Sequence, residues 1–493
     1  MKIVIVGGGT AGWLAALMIS RIRPEHTVTV IESSKIGIIG AGEGSTGSLT
    51  NIVQNEMWNL GCVEKDFVKE CDATIKLGIK HIGWNKDTKS HYYGPIDGTP
   101  TSNDRCDIVF QHALGFRDQN LLHLATELGY KIHHNKNSFV EDAGNHAYHF
   151  DAHKVGKYFK KISNTVKHID SEVDHVIKDK EKGWVTKLKL SNGQTVEGDM
   201  FIDASGFNQV LMKAVGGKWK SYRENLPVNS ALPFLLPYED DEVIEPVTNA
   251  WAQKNGWCWQ IPTLNRRGCG YVFCADFVTP DKAQEELEQT IGKKIDPIRL
   301  LTFDSGRQET LWIKNVLSIG LCAAFAEPLE ATSIHTTIMQ LKHFIFGCLG
   351  TQREDTCNKG TVDEYNKTNA HLYDTMKDFL VAHYTCGRND TEFWKYIDAG
   401  HTKTDFVKSM HEVCKHRVPN ATLFPRQEGS AGWPLWSYVL AGTGALTPEV
   451  CQKEIMYNND MVVGNTSYMH HVTEFDKVSK DLPDNTEFVK DMQ

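Results

Sequence analysis

Three glycines and one carboxylate near the N-terminus give the first chemical signal in this 493-residue chain. Gly7, Gly9 and Gly12 fit the pattern G-x-G-x-x-G. The first permits a tight turn, the second lets a pyrophosphate approach the backbone, and the third lets a helix pack closely on a strand. The helix that follows offers free N–H groups and the positive end of its dipole to phosphate. Glu32 stands 20 residues after Gly12, where a carboxylate can accept hydrogen bonds from a ribose. The chemistry expected is recognition of a dinucleotide. A tight turn with no ligand is the bland alternative. Two other groupings look chemical and carry less. His149 and His153 have the i, i+4 spacing of metal ligands, on what reads as a helix start. His411, Cys414 and His416 cluster near a helix end without further ligands at a known spacing. No metal site is expected from either, and no G-x-S-x-G nucleophile elbow occurs.

The elements that position the glycines are legible beside them. Ile3–Val6 is a buried-type strand, Gly7–Gly12 a turn, Trp13–Arg23 a helix by its apolar spacing, and Thr27–Glu32 a second strand. This βαβ unit implies a parallel α/β sheet with covered faces. From about residue 170 to 265 the chain reads as strands and turns, with Ser191-Asn192-Gly193 as one turn and Phe201-Ile202-Asp203 as a short buried run. Val316–Gly320 reads as a late strand returning to the sheet. Ile334–Leu349, Asp363–His383 and Thr404–His416 have helical periodicity. The expected fold is therefore α/β: a three-layer dinucleotide-binding module with an added β-sheet, followed by a mostly helical C-terminal part. Residues 1–345 would form the module, with inserted segments at about 80–150 and 215–300, and 346–493 would cover the substrate side.

Composition narrows the class. Lys and Arg total 53 and Asp and Glu total 62, for a net charge of −9, which disfavours nucleic-acid binding through bulk electrostatics. The apolar stretch Leu317–Ala326 is far shorter than the roughly 20 residues of a spanning helix. The four-residue run Ile3–Val6 is too short for a secretory signal. The 12 cysteines are scattered, no CxxC occurs, and the closest pair, Cys269 and Cys274, is C-x4-C. Reduced thiols in a cytoplasmic protein are expected.

Several further segments resemble one family, the flavin-dependent halogenases of the tryptophan halogenase type. Gly7–Trp13 matches its GGGTAGW opening, and Gly40–Thr46 resembles its GxGE(A)T loop. Tyr148–His153 and Asp203–Phe207 match two more segments. Gly256–Pro262 matches the signature GWxWxIP. Phe325–Thr332 resembles FxEPLEST, with Ala331 in place of the serine. The matches run in family order from residue 1 to about 335.

The resemblance implies FAD, supplied reduced as FADH2 by a separate flavin reductase, together with molecular oxygen and a halide. Reduced flavin forms a hydroperoxide, halide attacks it, and hypohalous acid migrates through a tunnel to a lysine that serves an aromatic ring. Lys76, in Ala73-Thr74-Ile75-Lys76, falls at that lysine, and Glu330 at the active-site glutamate. An ammonium can polarise hypohalous acid, while a neutral amine, which desolvation favours, could form a haloamine; a carboxylate beside the ring can accept its proton and stabilise the cationic intermediate. By the same resemblance FAD is held by Gly7, Gly9, Thr10, Ala11, Gly12, Glu32, Gly40, Gly42, Glu43, Val173, Gly320, Leu321 and Ile334. Trp257, Trp259 and Pro262 line the wall between flavin and substrate. Halide is bound at Thr332 and Ser333.

The chain departs from the family where substrate and halide are read. Tryptophan-specific members sandwich the indole with a His and a Phe, and here the matching places are Gly94 and Ile96. Their Tyr-Tyr pair and acidic run before a V-L-A-G segment are absent; Trp433–Tyr438 precedes Val439–Gly442 instead. Trp433 and Trp436 are an aromatic platform or core packing. A zwitterion needs paired polar groups, so free tryptophan is disfavoured and an indole, phenol or related electron-rich ring preferred. The family's Thr-Gly halide step is Thr332-Ser333 here, which suggests bromide or iodide over chloride. An aromatic FAD monooxygenase and a non-catalytic flavin-binding protein are the competing readings. Retention of Lys76, Glu330 and the tryptophan pair disfavours both. No nucleic acid or membrane partner is expected, and a homo-oligomer is allowed.

Overall fold

The computed structural model describes residues 1–37, 42–54, 58–96, 146–420, 423–424, 431–457 and 484–492. Gly40 and most of the first inserted segment lie outside these. At the centre is a six-stranded sheet ordered Trp312–Ile313, Val316–Ser318, Met200–Asp203, Lys2–Val6, Thr27–Glu32, Lys167–Asp170. Its pairs are parallel except at the Trp312–Ile313 edge. The two-residue period of a strand sorts the first one between two cores. Ile3 and Ile5 face the helices Thr10–Ile22 and Thr332–Lys342, while Val4 and Val6 face an antiparallel sheet formed by Val173–Lys178, Val185–Leu190 and Thr195–Glu197. Helices, parallel sheet and antiparallel sheet are the three expected layers.

The second large element is a seven-stranded sheet. Its order is Leu301–Thr302, Ser230–Leu236, Arg267–Phe273, Gly256–Pro262, Val247–Ala252, Gly78–Ile82, His91–Pro95. Val247–Ala252 pairs parallel with Gly78–Ile82, and the other neighbours pair antiparallel. Between the sheets runs a small one in which Ala147–Phe150 pairs with both Glu43–Gly44 and Thr74–Lys76. Glu43 and Lys76 thus lie on the two strands that flank Ala147–Phe150.

The C-terminal part is helical. Lys359–Tyr384 spans 26 residues, capped by the Asn358 side chain on the Thr361 N–H. Asp405–Cys414 is capped by Thr404. The helix begun at Thr332 ends its α-turns at Lys342 and continues to Cys348 with π geometry, one element where the periodicity shows a single helix. No helix among the described residues is long and apolar enough to cross a membrane.

Candidate active site

The glycine turn is a backbone device, and each glycine has its own reason. A Cβ on Gly7, at φ +121°, would lie 2.1 Å from the Ala204 carbonyl oxygen, and one on Gly12 would lie 2.0 Å from the Gly7 oxygen. These two let strand, turn and helix close on one another. Gly9 differs: nothing lies within 4 Å of where its Cβ would be. Open space before the first turn of Thr10–Ile22 is what an approaching pyrophosphate requires. Glu32 ends the second strand. Its carboxylate accepts from Trp13 Nε1 at 3.1 Å and Lys160 Nζ at 2.6 Å, with His168 Nε2 at 2.8 Å. Gly8 has no room for a Cβ beside it. The Gly320 turn, at φ +58°, abuts the same helix start: a Cβ there would meet Ala11 Cβ at 2.8 Å. Leu321 follows in that turn, and Ile334 is buried in the core shared by the helices. Gly42 sits over the end of Gly256–Pro262, with an added Cβ 3.4 Å from Gly268 Cα. Glu43 follows, and burial beside Asp151 raises its carboxyl to about 7. Val173 packs against the antiparallel-sheet core, on the far side of the parallel sheet from the glycine-turn helix. The open cradle at Gly9 and the acid at Glu32 fit FAD, which supplies the two electrons that let oxygen oxidise halide.

Lys76 is fully enclosed on its strand, and Nζ donates to the Ser45 carbonyl at 3.1 Å. A Cβ on Gly44 would come within 3.0 Å of that Nζ and 3.6 Å of Ala331 Cβ, so Gly44 touches both the lysine and the residue after Glu330. Lys76 and Glu330, 254 positions apart, thus share one neighbourhood.

Glu330 closes the short turn Pro328–Glu330, and Ala331 at φ +52° swings the chain into the Thr332–Lys342 helix. Two imidazoles crowd Glu330 Oε1: His383 Nε2 at 2.7 Å and His81 Nε2 at 3.2 Å. His383 Nδ1 donates to the Phe379 carbonyl at 2.9 Å, since a carbonyl can only accept, and this fixes the ring. Burial raises the Glu330 carboxyl, but His383 and then His81 more than offset this and hold it well below the usual carboxylate range. His81 is pushed the other way, toward the neutral ring, chiefly by burial. Glu330 Oε2 has no hydrogen-bond donor among the described residues.

Trp257 and Trp259 alternate to one face of their strand, with ring centroids 6.3 Å apart. A Cβ on Gly270 would collide with the Trp259 ring, so that glycine makes room for the indole. Trp257 Nε1 and Tyr384 Oη both donate to Glu327 Oε2, at 2.8 and 2.6 Å. Burial raises the Glu327 carboxyl to about 7. Pro262 ends the strand, and its carbonyl accepts from Thr74 Oγ1 at 2.6 Å, tying the wall to the Lys76 strand. Thr332 and Ser333 form the first turn of their helix. They line a small cleft with Tyr222, Phe325, Tyr373 and Met376.

Sequence reasoning missed His81, His383, Glu327 and Tyr384. Glu327 lay inside the Phe325–Thr332 segment and was passed over for Glu330. Nothing local marks the histidines. The reading of His149 and His153 as one helix start fails: His149 lies in the strand Ala147–Phe150 and only His153 is helical. Opposite phases of two elements cancel the i, i+4 spacing, and His149 Nε2 bonds Thr248 Oγ1 at 2.8 Å instead. Trp436 is fully buried against Phe379, at 4.9 Å between ring centroids, which makes it core packing.

A glycine turn open to a dinucleotide and an enclosed cluster of Lys76, Glu330, His81 and His383 are thus held in one fold. The family model for tryptophan halogenase matches residues 2–456. Tryptophan 6-halogenase SttH of Streptomyces toxytricini is 31% identical over 495 residues, covering 90% of each chain. Tryptophan 7-halogenase RebH of Lentzea aerocolonigenes is 30% identical over 433 residues, covering 80% of this chain and 78% of that one. The solved structure of Tar14, a tryptophan C-6 flavin-dependent halogenase (chlorinase) from taromycin biosynthesis, superposes with a TM-score of 0.86 at 27% identity, covering 100% of this chain and 99% of that one. The chain belongs to the tryptophan halogenase family. It is a flavin-dependent halogenase, an oxidoreductase that uses FAD supplied in reduced form by a separate reductase, and it acts on an aromatic substrate with halide.

Proposed function

We propose that this enzyme halogenates an electron-rich aromatic other than free tryptophan, an indole, a phenol or a related ring, through Lys76 and Glu330. The observation that carries the reading is the enclosed Lys76 side chain, its Nζ held on the Ser45 carbonyl beside the Glu330 turn. An ammonium there can hydrogen-bond hypohalous acid and raise its electrophilicity away from water. The balance is ArH + HOX → ArX + H2O: the ring carbon takes the halogen, and the ring proton leaves to a base. Glu330 Oε2 is that base, kept ionised by the imidazoles on Oε1. Gly94 and Ile96 supply no indole sandwich, and Trp436 is committed to the helical core; both facts argue against a site built for the free amino acid. Thr332 and Ser333 keep their backbone N–H groups at a helix start, suited to an anion, and we assign halide there with bromide or iodide preferred.

The test is one reaction series with purified protein, FAD, a generic flavin reductase, NADH and air. Indoles, phenols and free tryptophan are offered with chloride, bromide or iodide, and products are read by mass spectrometry. Halogenated indole or phenol, fastest with bromide or iodide, is the expected result. Free tryptophan as the best acceptor, or chloride as the best halide, would overturn the corresponding part. Oxygenated product without halogen would overturn the whole.

A further inference from the structure

Two buried polar atoms beside Glu330 have no hydrogen-bond partner among the described residues: His81 Nδ1 and Tyr92 Oη. His81 Nε2 is 3.2 Å from Glu330 Oε1, close enough to pair with it, which leaves Nδ1 on the ring's other edge unengaged. The two rings stack nearly parallel, 4.6 Å between centroids at 14°. They are opposed across the paired strands Gly78–Ile82 and His91–Pro95. His383 and Trp84 close the other sides of His81, at 5.0 and 6.3 Å. The His81 side chain is fully enclosed and Tyr92 is 4% exposed. Leaving such groups unpaired is costly, about 1–3 kcal/mol for each buried donor or acceptor. Each such group calls for an explanation, and a ligand that supplies the missing partners is one. Gly94 adds a second observation. A Cβ there would lie 3.6 Å from His81 Nε2, an ordinary van der Waals contact, so the position of the family's sandwich residue borders the imidazole directly.

We infer that His81 is the residue that reads the aromatic acceptor, taking a hydrogen bond from an O–H or N–H borne by the reacting ring, with Tyr92 Oη as the second polar contact. This rests on the assignment of Glu330 to the acceptor side. A neutral imidazole has one acceptor nitrogen, and a phenolic O–H or a pyrrole N–H is its complement. The bond also draws the proton away from the ring heteroatom, which enriches the ring in electrons as the halogen arrives. No group is transferred to His81; the halogen goes to carbon and the ring proton to Glu330. An acceptor whose heteroatom is methylated would leave His81 unpaired and be rejected.

The experiment compares matched acceptors that differ only in that hydrogen: phenol against anisole, and indole against 1-methylindole. Each is brominated by the FAD, reductase and bromide system with catalase present. The ratio of kcat/KM within a pair is divided by the ratio found with free hypobromous acid, which removes intrinsic reactivity. In the unmodified enzyme the donor-bearing member should be favoured at least about 30-fold. His81→Phe should bring the ratio to within about threefold, and His81→Gln, which keeps an acceptor, should restore part of it. A wild-type ratio near one, or a ratio unchanged in His81→Phe, overturns the inference; the first needs no variant to fold. Lys76→Ala run on the same acceptors separates the two levels. If it brominates them like the unmodified enzyme, the assignment of the pocket has failed, whatever the ratios show.

Discussion

The flavin cradle and the acceptor pocket solve opposite problems. The cradle is made of backbone and of side chains left out: Gly7 and Gly12 exist so that chain can meet chain, and Gly9 so that a ligand can meet chain. The pocket is made of side chains forced together, with an enclosed lysine, an ionised carboxylate and two imidazoles drawn from four separate elements. A cradle can be specified within thirty-odd consecutive residues. A pocket of charges needs the whole fold to hold each group against its neighbours. The lesson is that cofactor recognition and substrate chemistry fail in different ways when perturbed.

The largest expected effect is on the cradle. Gly12→Ala puts a methyl 2.0 Å from a backbone oxygen, so the strand–helix packing must shift. A destabilisation of about 2–4 kcal/mol is expected, with loss of FAD binding, read by urea denaturation and flavin fluorescence. Gly9→Ala is the control that sharpens the contrast. Its methyl enters open space, so stability should change by less than about 1 kcal/mol while FAD affinity still falls. If both variants behave alike, the distinction between the two glycines is wrong.

The next effect is on the pocket and shows in pH. His383→Gln removes the main group that holds Glu330 below the usual range and leaves the burial that raises it. Glu330 is active when ionised, so its activity survives down to the folded pKa and is lost below it. The variant's acid limb should therefore move upward, by at least about one pH unit, in a kcat/KM profile. A uniform loss at every pH would mean that His383 only supports the fold.

A smaller effect belongs to Glu327, held by Trp257 and Tyr384. Glu327 is raised from an ordinary 4.5 to about 7 by burial. A raised folded pKa contributes stability below the unfolded pKa and loses it as pH climbs through the folded one. Between about pH 4.5 and 7 this costs up to about 3 kcal/mol. Glu327→Gln stays neutral and should gain most of that above pH 7, leaving the similar slope from Glu43. Urea midpoints at pH 5 and pH 8 check it.

The same contrast explains what could be read in the sequence. The βαβ unit was legible because strand period, glycine spacing and Glu32 all act over short range. The helix Thr10–Ile22 begins three residues before Trp13, because a glycine turn runs straight into its first turn. Lys76 and Glu330 were legible only through their resemblance to family segments. His383 was not, although its helix was: periodicity shows that a helix is amphipathic but not that one histidine meets a carboxylate 53 residues earlier. His81 was hidden for the same reason. Its strand pairs with the nearby His91–Pro95, but also with Val247–Ala252 far along the chain.

The most direct test of the central claim, that halogen reaches the acceptor through Lys76 in a pocket distinct from the cradle, measures two quantities on the variant Lys76→Ala: FAD affinity, and brominated indole formed with catalase present. The account predicts FAD affinity within about threefold of the unmodified enzyme and product reduced at least about 100-fold. Undiminished product with FAD bound would show that the lysine does not carry the reaction.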